Sequence, residues 1–111
     1  MSARSSRPGP WKNLRSMKRS PPGSERALRH LRRRIDALDA QVLRLLTRRA
    51  ALALRVGRIK KREGWQLVDP AREREILQRM AEATQGPLTP KAVRAMYRTI
   101  LTQIRRLEET H

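Results

Sequence analysis

Arg49 stands where an aliphatic residue is expected. Every third and fourth residue from Leu28 gives Leu28, Leu31, Ile35, Leu38, Val42, Leu45, Arg49, Leu52, Val56 and Ile59, with spacings of three and four alternating throughout. Nine of these ten positions are aliphatic, which marks the seam of a long helix that packs along another helix. A guanidinium buried there without a partner is strongly unfavourable, so an anionic group is expected to meet it. Lys60 follows on nearly the same face, about 20° around the helix and roughly 16 Å along it. Two long cationic side chains so placed can close on a small anion between them. Arg32 also flanks the seam but lies roughly 25 Å from Arg49 along the same helix. It cannot reach the same ligand from its own chain, although in an antiparallel or crossed dimer it reaches the partner's ligand.

Further polar residues open or close the later helices. Asp69, Arg72 and Glu73 sit together at the start of the second helix. Taken singly, Asp69 can serve as a helix cap, Glu73 can favour the positive helix end, and Arg72 with Glu73 can form a solvated face. Glu108 lies in line with Ile104 and Leu107 near the inner face of the third helix. Taken singly, a solvated terminal Glu is the commoner explanation for such a residue.

The elements that must position these groups are all helical. The chain has 111 residues, enough for one domain at most, with three aromatic residues (Trp11, Trp65, Tyr97) and no Phe, so its core is aliphatic. Abundant Leu, Ala and Arg, with Gly and Pro confined to a few places, indicate an all-α protein. There is no cysteine, which excludes disulfides and thiolate metal sites and fits a reducing, cytoplasmic setting. No apolar run approaches the roughly 20 residues that span a membrane. The net charge of +17 favours anionic partners: nucleic acid, acidic membrane surfaces or small polyanions. Arg greatly outnumbers Lys, and a generic solvated surface accounts for many of these charges as well.

Residues 1–24 hold six basic residues, no acidic ones, and Pro8, Gly9, Pro10, Pro21, Pro22 and Gly23. A disordered basic tail is expected there. It lacks the apolar run of a secretory signal and is only weakly like a transit peptide. A solvated tail, or an early start codon with Met17 as the true start, is the preferred reading. The folded domain is expected over 25–111. Ser24 is expected to cap a first helix that runs to about Arg62, before Gly64, over roughly 55–60 Å. A seam of that length projects beyond its own subunit's core and calls for a partner chain, so a homodimer is expected. Asp69-Pro70 and Thr89-Pro90 each read as an N-cap followed by Pro at the first helical position. The second helix then runs to about Thr84 with Ile76, Leu77 and Met80 on its apolar face. The third turns Val93, Met96 or Tyr97, Ile100, Ile104 and Leu107 inward.

The run Leu31-Arg32-x-x-Ile35-Asp36-x-Leu38-Asp39, followed by Leu45-Leu46-x-x-Arg49, Val56-Gly57-x-x-Lys60 and Asp69-x-x-Arg72-Glu73, resembles the all-helical, type II class of chorismate mutase. The likeness covers about residues 26–109. It implies an intertwined helical homodimer, with three helices per chain, that rearranges the dianion chorismate to prephenate for phenylalanine and tyrosine biosynthesis. No cofactor, metal or covalent intermediate is implied. Arg49 and, from the other chain, Arg32 would hold the substrate carboxylates through bidentate contacts. Lys60 would donate to the ether oxygen, where negative charge develops as the C–O bond breaks. Glu73, with the backbone near Asp69, would bind the ring hydroxyl, and Arg72 would support the anionic end. The implied enzyme stands alone, with no fused dehydratase, dehydrogenase or regulatory domain.

Two positions depart from the family's pattern. Where the third helix usually carries a small hydroxyl residue and, four positions later, Gln or Glu, this chain has Ile104 and Glu108. Ile104 loses a side-chain hydrogen bond to a carboxylate. Glu108 can donate to the ether oxygen only when protonated. An isochorismate pyruvate-lyase on the same fold is the nearest competing reading, and the Asp69-x-x-Arg72-Glu73 pattern favours the mutase. A nucleic-acid-binding helical dimer would use the tail and the Arg-rich first helix, but no reading motif appears and no aromatics interleave with the basic residues. A bare coiled coil with Arg49 setting the register leaves Lys60, Arg72 and Glu73 unexplained.

Overall fold

The computed structural model describes residues 22–111, and residues 1–21, most of the expected tail, lie outside the described residues. Three helices follow in order, α1 (Pro22–Glu63), α2 (Pro70–Ala83) and α3 (Pro90–Thr110), with no strand among the described residues. The chain divides into two units, one ending at Gln41 and one from Val42 to His111. In the first, the described residues are the opening stretch of α1, which presents the seam residues Leu28, Leu31, Ile35 and Leu38 exposed. The second holds the remainder of α1 with α2 and α3.

Helix α1 begins at Pro22, ahead of the expected cap at Ser24. Proline suits a first helical position, because its fixed φ matches the helix and the N–H it lacks has no intrahelical partner there. Pro22 to Ser24 therefore belong to the first turn.

The end of α1 is defined by backbone bonds. Gly64 takes φ +74°. Its N–H donates to Lys61 O at 3.2 Å, and the Trp65 N–H donates to Lys60 O at 2.8 Å. This is a Schellman closure, with glycine at the left-handed position. It fixes the backbone at Lys60 three residues before the helix stops.

Both Pro-led starts form as the sequence predicts. Asp69 accepts from the Arg72 N–H at 3.0 Å and Thr89 from the Ala92 N–H at 3.1 Å. Each satisfies a donor that the helix leaves free. Thr84 ends α2 and donates from Oγ1 to Leu88 O at 3.0 Å, folding the short connection that contains Gly86.

The buried aliphatic residues all come from the pair α2 and α3: Ile76 and Ala81 on one, Val93, Leu101 and Ile104 on the other. Leu77, Met80, Tyr97 and Ile100 are half-buried. Of the alternatives Met96 and Tyr97, it is Tyr97 that turns inward, while Met96 is exposed. One expectation for α3 changes: Leu107 is exposed, and Leu101, which was not expected to be, is buried. Val93, Tyr97, Ile100, Leu101 and Ile104 share one face of α3, and Leu107 lies at its margin.

No atom lies within 4 Å of where a Cβ would stand on Gly64, so substitution there tests backbone strain alone. Gly64→Ala should lose roughly 1–2 kcal/mol of stability in urea unfolding, with Gly64→Asn recovering part of it. An unchanged midpoint for Gly64→Ala would remove the left-handed closure from this account.

Candidate functional site

The second unit contains a cleft of about 320 Å³ bordered by all three helices. Arg49, Leu52, Ala53, Val56 and Lys60 line it from α1, and Leu67 and Asp69 from the connection that follows. Arg72, Glu73 and Ile76 come from α2, and Leu101, Ile104, Arg105 and Glu108 from α3. Six of the seven residues singled out in the sequence therefore meet in one place. The seventh, Arg32, is exposed in the first unit and is not among the lining residues.

Helical periodicity brings Arg49 and Lys60 to the cleft together, with Leu52 and Val56 between them. Both cations are half-buried. Lys60 Nζ donates to Leu67 O at 3.3 Å, which ties its ammonium to the α1–α2 connection and leaves two of its three donor hydrogens for other acceptors. Asp69 acts as the N-cap of α2. Its capping role and its place at the cleft are thus compatible, because the cap uses the side chain and leaves the local backbone at the rim. Arg72 lines the cleft but is ion-paired along its own helix with Glu75. Both members are largely exposed, and such pairs contribute about 0–1 kcal/mol, so the guanidinium exchanges partners readily.

Arg105 was not anticipated from the sequence. Its Nη1 donates to Glu73 Oε2 at 2.6 Å, an ion pair that joins α3 to α2. A signal existed, since Leu101, Ile104, Arg105 and Glu108 follow the i, i+3, i+4, i+7 pattern of one helix face.

Glu108 is half-buried and faces charges from each helix. Burial raises its carboxyl pKa above the ordinary value; Lys60, Arg49 and Arg105 pull it back down, and Glu73 pushes it up. The net direction is upward. Gly57, itself buried, allows α1 to approach at this point: a Cβ there would stand 3.3 Å from Glu108 Cγ and 3.4 Å from its Cβ. Ile104, at the position where a hydroxyl residue was expected, is buried beside the cleft.

Chemically, the arrangement is a concave site with an aliphatic floor, four cationic side chains and three carboxyl groups, of which that of Glu108 has a raised pKa. It suits a small polyanion whose charge shifts during reaction. Among the described residues no group of three or more His, Cys, Asp or Glu could hold a metal ion, and no helix is long and apolar enough to cross a membrane.

Residues 31–109 match the family model described as chorismate mutase type II. A bifunctional chorismate mutase/prephenate dehydratase from Aquifex aeolicus is 37% identical over 86 residues, covering 74% of this chain and 24% of that protein. The chain thus spans about a quarter of the length of the bifunctional relatives it matches. A 4-amino-4-deoxychorismate mutase from Streptomyces venezuelae is 32% identical over 83 residues, covering 74% of this chain and 81% of that protein. The crystal structure of chorismate mutase from Helicobacter pylori in complex with prephenate superposes with a TM-score of 0.70 at 31% identity, covering 76% of this chain and 91% of that one.

A protonated Glu108 can donate a hydrogen bond, and an ionised one can only accept. If the neutral form is the working form, kcat/KM falls as pH rises through the raised Glu108 pKa, and Glu108→Gln flattens that fall. A wild-type profile that is already flat across the range would remove Glu108 from the donor role.

Proposed function

The chain belongs to the chorismate mutase type II family, and from that premise we propose that it rearranges chorismate to prephenate as a homodimer. The observation that carries this reading is the meeting of Arg49, Lys60, Asp69, Arg72, Glu73 and Glu108 around one cleft. The names of the matched relatives favour a mutase over the lyase.

In this reaction a C–O bond breaks as a C–C bond forms within one cyclic transition state, so no nucleophile is needed. The site's task is to hold the compact reactive conformer and to present fixed charge where charge develops. Arg49 and Arg32 of a second chain grip the two carboxylates through paired N–H groups. Lys60, with its ammonium already anchored on Leu67 O, donates to the ether oxygen. Glu108 donates to the same oxygen in its neutral form. Glu73 and the backbone near Asp69 bind the ring hydroxyl, and Arg72 supports the anionic end.

The exposed seam supports the dimer. Its nine aliphatic residues range from 43% exposed at Ile59 to 60% at Leu45, an apolar stripe longer than soluble monomers usually leave in water. A ring carrying a 4-amino group, as in the name of the Streptomyces relative, is the competing substrate of the same class.

Loss of chorismate absorbance with prephenate identified as product tests the reaction. Arg49→Ala should lower kcat/KM by about 10²–10³-fold. Prephenate formed equally fast by Arg49→Ala, or pyruvate released from isochorismate with no prephenate from chorismate, would contradict the proposal.

A further inference from the structure

Arg105 enters the cleft without any role in the proposed rearrangement. It follows the buried Ile104 on α3 and precedes Glu108 by one turn. The other ion pairs among the described residues, Arg62–Glu63, Arg72–Glu75 and Arg79–Glu75, join neighbours within one element or turn and are mostly exposed. The Arg105–Glu73 pair is different: it spans two helices, and its side chains are only 28% and 31% exposed. A bond of 2.6 Å in a partly covered setting is a charge-assisted contact that holds both groups in one geometry.

The consequence falls on Glu73, the residue that the proposed function assigns to the substituent at ring position 4. One carboxylate oxygen, Oε2, is engaged by Arg105, and the other remains to accept a hydrogen bond. A neutral hydroxyl needs only that acceptor. An ammonium at the same ring position brings a positive charge to a carboxylate whose charge a guanidinium already balances. It does so in a cleft where the cations Arg49, Lys60 and Arg72 outnumber the remaining carboxyl groups, Asp69 and Glu108. We infer that Arg105 is a positioning residue that, through Glu73, selects a ring bearing a neutral 4-hydroxyl over one bearing a 4-ammonium group. This rests on the mutase reading and adds the element that rejects the wrong ring by repulsion.

The test compares kcat/KM for chorismate and for 4-amino-4-deoxychorismate with the purified full chain. The wild type is expected to prefer chorismate by about tenfold or more. Arg105→Met, which keeps the apolar stem and removes the charge, should lower that preference about tenfold, chiefly through a lower KM for the amino substrate. Arg105→Lys should keep the wild-type ratio, because it retains a cation beside Glu73. Arg105→Gln serves as a second neutral variant if Arg105→Met does not fold. A merely structural role for Arg105 would change both substrates alike and leave the ratio fixed. A wild type that accepts both rings equally, or a ratio unchanged in the neutral variants while chorismate is still turned over, would overturn the inference alone. A wild type that turns over neither ring would overturn the mutase reading and this inference with it.

Discussion

A guanidinium in the middle of an aliphatic seam sets two demands that must be met at the same place. The seam's nine aliphatic side chains are each about half in water, and covering them is worth roughly 1 kcal/mol apiece, on the order of 10 kcal/mol together. That is comparable to the whole stability of a small domain. The described core, by contrast, is a thin contact between α2 and α3 through Ile76, Ala81, Val93, Leu101 and Ile104. The proposed dimer would cover that seam with another copy of the chain. So covered, the seam would hold Arg49 away from water, where it needs an anion. In that reading, dimerisation and anion binding are two answers to one arrangement of residues.

The remaining charges of the cleft are held by their surroundings before any substrate arrives. The Schellman closure at Gly64 fixes the backbone at Lys60, and Leu67 O anchors its ammonium. Gly57 lets α1 come close to Glu108, and burial is the largest cause of the raised Glu108 pKa. Arg105 fixes Glu73 across the α2–α3 contact. Donors already fixed in position need little reorganisation as charge develops, which is where most of the benefit of such a site lies.

Much of this was legible in the sequence because it rests on local rules. Asp69-Pro70 and Thr89-Pro90 each combine a capping side chain with a residue fit only for the first turn, and both helices start there. Of the cleft residues of α1, Arg49, Leu52 and Val56 followed from period and Lys60 from its place on nearly the same face, whereas Ala53 did not. The failures were of three kinds. On α3 the pattern turned Val93, Tyr97, Ile100 and Ile104 inward as found, but it left out the buried Leu101, adjacent to Ile100 and equally apolar, and it included the exposed Leu107. Arg105 looks like its solvated neighbours Arg98 and Arg106 until α2 brings Glu73 to it from 32 residues away. Its spacing from Leu101 and Ile104 marks the helix face it shares, but nothing local marks the partner across it. The start of α1 was placed too late: Ser24 was read as its cap, but the helix is already formed at Pro22, the first described residue.

The central claim is that each site joins Arg49 of one chain to Arg32 of another. Equal amounts of Arg32→Ala and Arg49→Ala chains, unfolded together and refolded, test it directly. In a mixed dimer one site then regains both arginines and the other loses both. Two nearly inactive parents should therefore give a mixture with about a quarter of wild-type turnover, since half the dimers are mixed and each carries one intact site. A mixture as inactive as its parents would place both arginines in the same chain's site and contradict the account.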